Sequence, residues 1–209
     1  MEAFTTYIKS LTNEAALDLA CSTLIPLIHE IGKKNNMKLL DNTSYRQRAM
    51  WKEVKAIWPD IYLNTQRTGW DARTEVLDDI EFKTCNDDTG KNKLKTSFMW
   101  DKQSEKVRRA QTLASDAFVL GRFESEILKI ILVAKDPGSL VYVRHCMEKE
   151  QEKFIERWDA NVAAGKRGGS DAIRLNYEKL FSENVTWDIW VKGTWYMGKT
   201  SPECVALLT

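Results

Sequence analysis

The chain has 209 residues, of which 43% are hydrophobic and 29% charged, with 31 Lys+Arg against 30 Asp+Glu and a formal net charge of +1. That apolar content supplies a packed core and excludes a disordered or low-complexity chain. The charge balance excludes a histone-like polycation, but not a protein that gathers its basic residues on one face for nucleic acid.

Residues 1–209 read as one domain, since neither an internal repeat nor a long Pro/Gly/Ser linker interrupts them. Met1 to Ser10 has no basic stretch before an apolar run, so no export signal is expected. The most apolar stretch, Ile127 to Ala134, is interrupted by Lys129 and is too short to span a bilayer. Cys21, Cys85, Cys146 and Cys204 are dispersed with no C-x-x-C pair, which suits free thiols in a reducing cytoplasm. His29 and His145 are the only histidines, so multi-His metal sites and most Ser-His-Asp schemes are hard to build.

Thr12 to Ile31 carries a helical apolar stripe, with Pro26 as a kink or boundary. Thr43 or Ser44 starts a second helix that runs to about Ile57 and closes before Pro59. Trp70–Arg73 and Asp79–Cys85 read as short strands, and Asp101–Leu113 as a polar helix. Ala117–Phe123 and Ile127–Ala134 are β-rich runs joined by a short turn. Asp136-Pro137-Gly138 is a turn or helix start, and Ser139–Ala164 a long charged helix ending near Gly165. Ala172–Leu175 is a further short strand, and Thr186–Tyr196 is aromatic and β-like. This order predicts an α/β fold with one mixed sheet flanked by helices.

The segment Asp71 to Cys85 carries the chemistry. Alternate strand residues share a face, so Ile80, Phe82 and Thr84 point one way and Asp79, Glu81 and Lys83 the other. A chain reversal centred on Val76 sets Asp71 opposite Glu81, where cross-strand Cβ atoms lie roughly 4.5–5.5 Å apart. Two carboxylates that close repel unless a cation sits between them, and a hard divalent ion such as Mg²⁺ fits oxygen ligands. Lys83, one pleat along, is placed to orient or deprotonate a water beside that metal. A solvated hairpin with an ordinary ion pair would show the same residues.

Asp71 followed by Glu81-Phe82-Lys83 resembles the D…(D/E)-x-K motif of the PD-(D/E)xK nuclease superfamily, with type II restriction endonucleases the nearest in size and layout. Trp70 stands where the motif's name has Pro. The resemblance covers residues 43–134 in layout and three residues in chemistry. It implies a restriction-endonuclease-like mixed sheet flanked by helices, with a catalytic core at 43–134 and recognition and packing elements at 139–209. It implies a Mg²⁺-dependent, sequence-specific cleavage of double-stranded DNA to 5′-phosphate and 3′-hydroxyl ends, with Mn²⁺ able to substitute. Asp71, Glu81 and Lys83 would be the catalytic set. Glu53 on the second helix would be an extra metal ligand, or else a solvent-facing helical residue.

For DNA, Lys91, Lys93 and Lys95 follow the catalytic strand, and Lys102, Lys106, Arg108, Arg109, Arg46 and Arg48 offer further phosphate contacts. Lys166 and Arg167 lie in a glycine-rich loop, with Asp171, Arg174 and Asn176 as base-edge candidates after it. A homodimer would match a palindromic site. Its interface would come from the N-terminal helix or the tail with Trp187, Trp190 and Trp195, with core packing the default for the tail. A cognate methyltransferase is expected in the host. The alternatives are a structure-specific repair or recombination nuclease of the same fold, and a non-catalytic DNA-binding protein.

Overall fold

The β-rich runs of the middle of the chain become a mixed sheet in the computed structural model, which describes residues 2–35, 43–64, 71–87 and 93–209. Its strands are β1 (Tyr62–Leu63), β2 (Ala72–Arg73), β3 (Ile80–Asn86), β5 (Ala117–Glu124), β6 (Ile127–Ala134), β8 (Thr186–Val191) and β9 (Thr194–Thr200), adjacent in that order. A separate ribbon pairs β4 (Ser97–Asp101) with β7 (Ala172–Asn176). β3 and β5 run parallel. A parallel pair needs a long crossover, and the segment between them supplies it through β4 and helix α5 (Lys106–Ala114).

Helices α1 (Glu2–Ser10), α2 (Asn13–Leu19), α3 (Ile25–Lys34) and α4 (Thr43–Val54) precede the sheet. Helices α6 (Pro137–Ala163), α7 (Tyr177–Leu180) and α8 (Ser201–Leu208) complete the fold. Among the described residues, no helix is long and apolar enough to cross a membrane.

β5 and β6 are buried on both faces, which explains their nearly continuous apolar sequences. On one face Ile80, Phe82, Val119, Ile131 and Val133 pack with Met50 and Val54 of α4. On the other, Phe118, Leu120, Ile130 and Leu132 meet α6 through Val143, Met147 and Phe154, and meet the ribbon through Phe98, Trp100, Ile173 and Leu175. Trp187 and Trp190 are core residues, as the default reading of the tail expected. Cys85, Cys146 and Cys204 are free thiols. Burial pushes Cys85 and Cys204 up to about 12.

α4 comes close to the sheet at Gly121, where a Cβ would stand 2.2 Å from the Met50 sulfur. Gly121→Val overpacks this contact and is expected to cost about 1–3 kcal/mol. A urea titration should show a lower midpoint at unchanged slope, and an unchanged midpoint would refute it.

Several boundaries differ from the sequence reading. The first long helix is divided by a π-helical turn at Ala20–Leu24, and the boundary expected at Pro26 falls at Ile25, where α3 begins. The polar helix expected from Asp101 starts at Lys106, because Ser97 to Asp101 alternate between exposed and buried as strand β4. Lys102, at φ 58°, turns the chain between the two. Thr186–Tyr196 is two strands folded at Lys192-Gly193, both at positive φ. The start expected at Asp136-Pro137-Gly138 holds, with Asp136 as N-cap and Pro137 first in α6.

Candidate active site

β3 has Ile80 and Phe82 buried on the α4 side and Glu81 and Lys83 half-buried on the other. β2 pairs with it antiparallel, Ala72 opposite Ile80. The same register sets Asp71 opposite Glu81, the pivot that the spacing predicted. Asp71 Oδ2 accepts a hydrogen bond from the Phe82 N–H at 2.8 Å, which fixes the carboxylate against β3. Glu81 Oε1 lies 2.6 Å from Lys83 Nζ, the two side chains being 15% and 21% exposed. Asp71, Glu81 and Lys83 are thus brought together on one face.

Electrostatics mark Asp71 as the strained member. Burial and the neighbouring Glu81 carboxylate push its pKa up to about 6, against the opposing pull of Lys83 and the Phe82 N–H. Asp79 is also raised, by burial, Glu81 and Asp116, while Arg108 opposes the shift. Its Oδ1 is buried without a hydrogen-bond partner. Asp116, just before β5, accepts from the N–H groups of Asp78 and Asp79 at 3.0 and 3.1 Å and so shapes the entry to β3. Sequence reasoning missed Asp116, whose partners stand 37 and 38 residues away.

Among the described residues, no group of three or more His, Cys, Asp or Glu could hold a metal ion. The available donors are the Asp71 and Glu81 carboxylates. Mg²⁺ keeps several waters and is commonly held by one or two carboxylates plus substrate phosphate, so this hard-oxygen pair fits it. The repulsion that raises Asp71 is also what a bound cation would relieve.

Glu53 does not join this set. α4 packs on the opposite face of the sheet, and Glu53 lines a cavity there of about 250 Å³ with Asp18, Arg48, Glu126 and Trp190. Its placement as an extra ligand beside Asp71 and Glu81 is therefore corrected.

The predicted DNA contacts divide. Lys91 lies outside the described residues. Lys93 donates to the Leu208 carbonyl at 2.9 Å and ties down α8, whereas Lys95 is exposed. Lys166 and Arg167 are exposed in the loop after α6, where Gly168 lies against the Trp158 ring. Asp171 is spent locally, accepting from the Ser104 N–H at 2.5 Å. Asn176 caps α7, its Oδ1 accepting from the Lys179 N–H at 2.9 Å. Both are corrected from base readers to structural residues. Arg174 is exposed on β7.

Two of the other arginines are likewise committed. Arg109 donates to the Gln103 and Ser104 carbonyls at 2.6 and 3.1 Å. Arg46 binds buried Glu126, its Nε 2.6 Å from Oε2. Tyr45, Asn86 and His29 converge on the same carboxylate. Arg48 lies over the Trp51 ring at 5.0 Å.

No family model matches the chain, and no curated protein matches it.

Proposed function

We propose that this chain is a Mg²⁺-dependent, sequence-specific endonuclease of double-stranded DNA, of the type II restriction kind. The observation that carries the reading is the placement of Asp71 opposite Glu81, with Lys83 one pleat along on the same face. The mixed sheet flanked by helices, with a parallel β3–β5 pair, suits a restriction-endonuclease-like fold.

In this reading Asp71 and Glu81 hold the divalent cation. When bound, that ion polarises a phosphoryl oxygen and lowers the pKa of a coordinated water. Asp71 is positioned by the Phe82 N–H, so its carboxylate needs little reorganisation. Lys83, held by Glu81, offers its remaining N–H donors to the attacking water and the scissile phosphate. Water adds to phosphorus and the bond to the 3′ oxygen breaks, leaving 5′-phosphate and 3′-hydroxyl ends. Exposed Lys95, Lys166 and Arg167 supply phosphate contacts. A homodimer in the cytoplasm, with a host methyltransferase protecting the same sequence, completes the proposal.

The test is incubation of the purified protein with plasmid, genomic and branched DNA, in Mg²⁺, Mn²⁺ or EDTA, beside Lys83→Ala. Discrete fragments that need the metal are expected, with a rate about 10²–10³-fold lower in the variant. A metal-dependent smear, or cutting of branched DNA alone, would move the assignment to a structure-specific nuclease. If none of these DNAs is cut, the enzymatic reading fails.

A further inference from the structure

The β4–β7 ribbon has one face with no counterpart in the core. Phe98, Trp100, Ile173 and Leu175 point inward, while Ser97, Met99, Asp101 and Arg174 are exposed. Pairing sets Met99 opposite Arg174, and the Arg174 Nη2 lies 3.6 Å from the Met99 sulfur. Met99 is 43% exposed, unusual for an apolar residue at the centre of a strand.

The ribbon stands on the same side of the main sheet as the candidate active site. Its inward residues pack with Phe118 and Leu120, and these are the β5 register partners of Glu81 and Lys83. β4 also lies against β3, the strand that carries Glu81 and Lys83. Its ends carry cations. Exposed Lys95 leads into Ser97, and exposed Lys102, Lys166 and Arg167 lie in the segments that flank Asp101 and Ala172.

We infer that this outer face enters the major groove and reads the bases beside the scissile phosphate, with Arg174 and Met99 as the central readers. The inference rests on the nuclease reading. A B-DNA major groove is about 12 Å wide and admits a two-stranded ribbon. The side chains present suit its code. Arg174 can donate two hydrogen bonds to guanine O6 and N7, Met99 can contact a thymine methyl, and Asp101 can accept from cytosine N4. Ser97 can donate or accept. A centre with the single charge of Arg174, and cations in the segments at both ends, matches a groove floor bordered by phosphates.

The experiment maps cut ends across genomic DNA for the wild type, Arg174→Ala, Arg174→Lys and Met99→Ala. In parallel, each protein selects duplexes from a random library in Ca²⁺. Arg174→Ala is expected to relax one G·C position about 10- to 100-fold while other positions keep their preference. Arg174→Lys should restore phosphate attraction without restoring that preference. Met99→Ala should relax an adjacent A·T position. Both substituted side chains are exposed, so thermal melts of the three variants should match the wild type. Unchanged cut sites, or a uniform loss over all sequences, would overturn the ribbon assignment with the nuclease reading intact. No cutting, with library enrichment that Arg174→Ala alters, would refute the nuclease reading and keep the ribbon as a base reader. Neither cutting nor enrichment would refute both.

Discussion

Asp71→Asn is expected to abolish cleavage and, at pH 8, to make the protein more stable. Burial and Glu81 raise the Asp71 carboxyl to about 6, above its ordinary 3.8. The folded chain therefore holds that proton more tightly than the unfolded chain does. The penalty for ionising Asp71 is absent below 3.8, grows between 3.8 and about 6, and is complete above that. A shift near two pH units corresponds to at most about 3 kcal/mol, and relaxation of the Glu81 and Lys83 side chains reduces it to about 1–3 kcal/mol.

Asn keeps an oxygen to accept from the Phe82 N–H, so the substitution removes charge while preserving the contact. The melting temperature should rise by about 2–4 °C per kcal/mol at pH 8, and the difference should close near pH 3.5. A difference of constant size across that range would show that Asp71 carries no ionisation strain. In the wild type, added Mg²⁺ should reverse the penalty and raise the melting temperature at pH 8. It should do neither in the variant.

Glu126→Ala should lower stability by about 3–5 kcal/mol, because it removes the buried carboxylate that Arg46 binds. Glu126 is 2% exposed at the turn between β5 and β6, at φ 61°. Tyr45, Asn86 and His29 would lose a shared partner as well. Since His29 of α3 and Tyr45 and Arg46 of α4 meet at this carboxylate, the effect should spread to both helices. A guanidinium titration checks the magnitude, and amide exchange checks the location. A cost below about 1 kcal/mol would mean that the buried charge is compensated elsewhere. Glu126→Gln, which keeps shape and some acceptors, should fall between the two.

The hairpin with Asp71, Glu81 and Lys83 was legible because two simple periods coincide there. Alternation put Glu81 and Lys83 on one face, and the mirror spacing around Val76 put Asp71 across from them. The central strands were legible for a related reason, since burial on both faces demands a nearly unbroken apolar sequence. Glu53 misled because a helix can land on either side of a sheet. Its own periodicity does not say which side, and α4 packs against Ile80 and Phe82, away from Glu81.

Asp171 and Asn176 misled for another reason. Polar side chains at the ends of strands and helices satisfy backbone N–H groups as readily as they reach for a ligand, and both do so here. β4 was missed because its five residues follow a polar stretch and its partner strand lies far along the chain. Glu126 and Asp116 were missed because their partners come from distant segments, as in the 80-residue separation of Arg46 from Glu126.

The ribbon also bears on how the protein is made. Asp101 pairs with Ala172 and Ser97 with Asn176, so β4 has no strand to join until β5, β6 and α6 have been synthesised. Contacts of such long sequence separation form late and slowly, because loop closure must precede them. The wall beside Asp71, Glu81 and Lys83 is therefore finished only near the end of translation. A ribosome-bound chain would carry the acidic hairpin well before it had the partner strand that completes its surroundings.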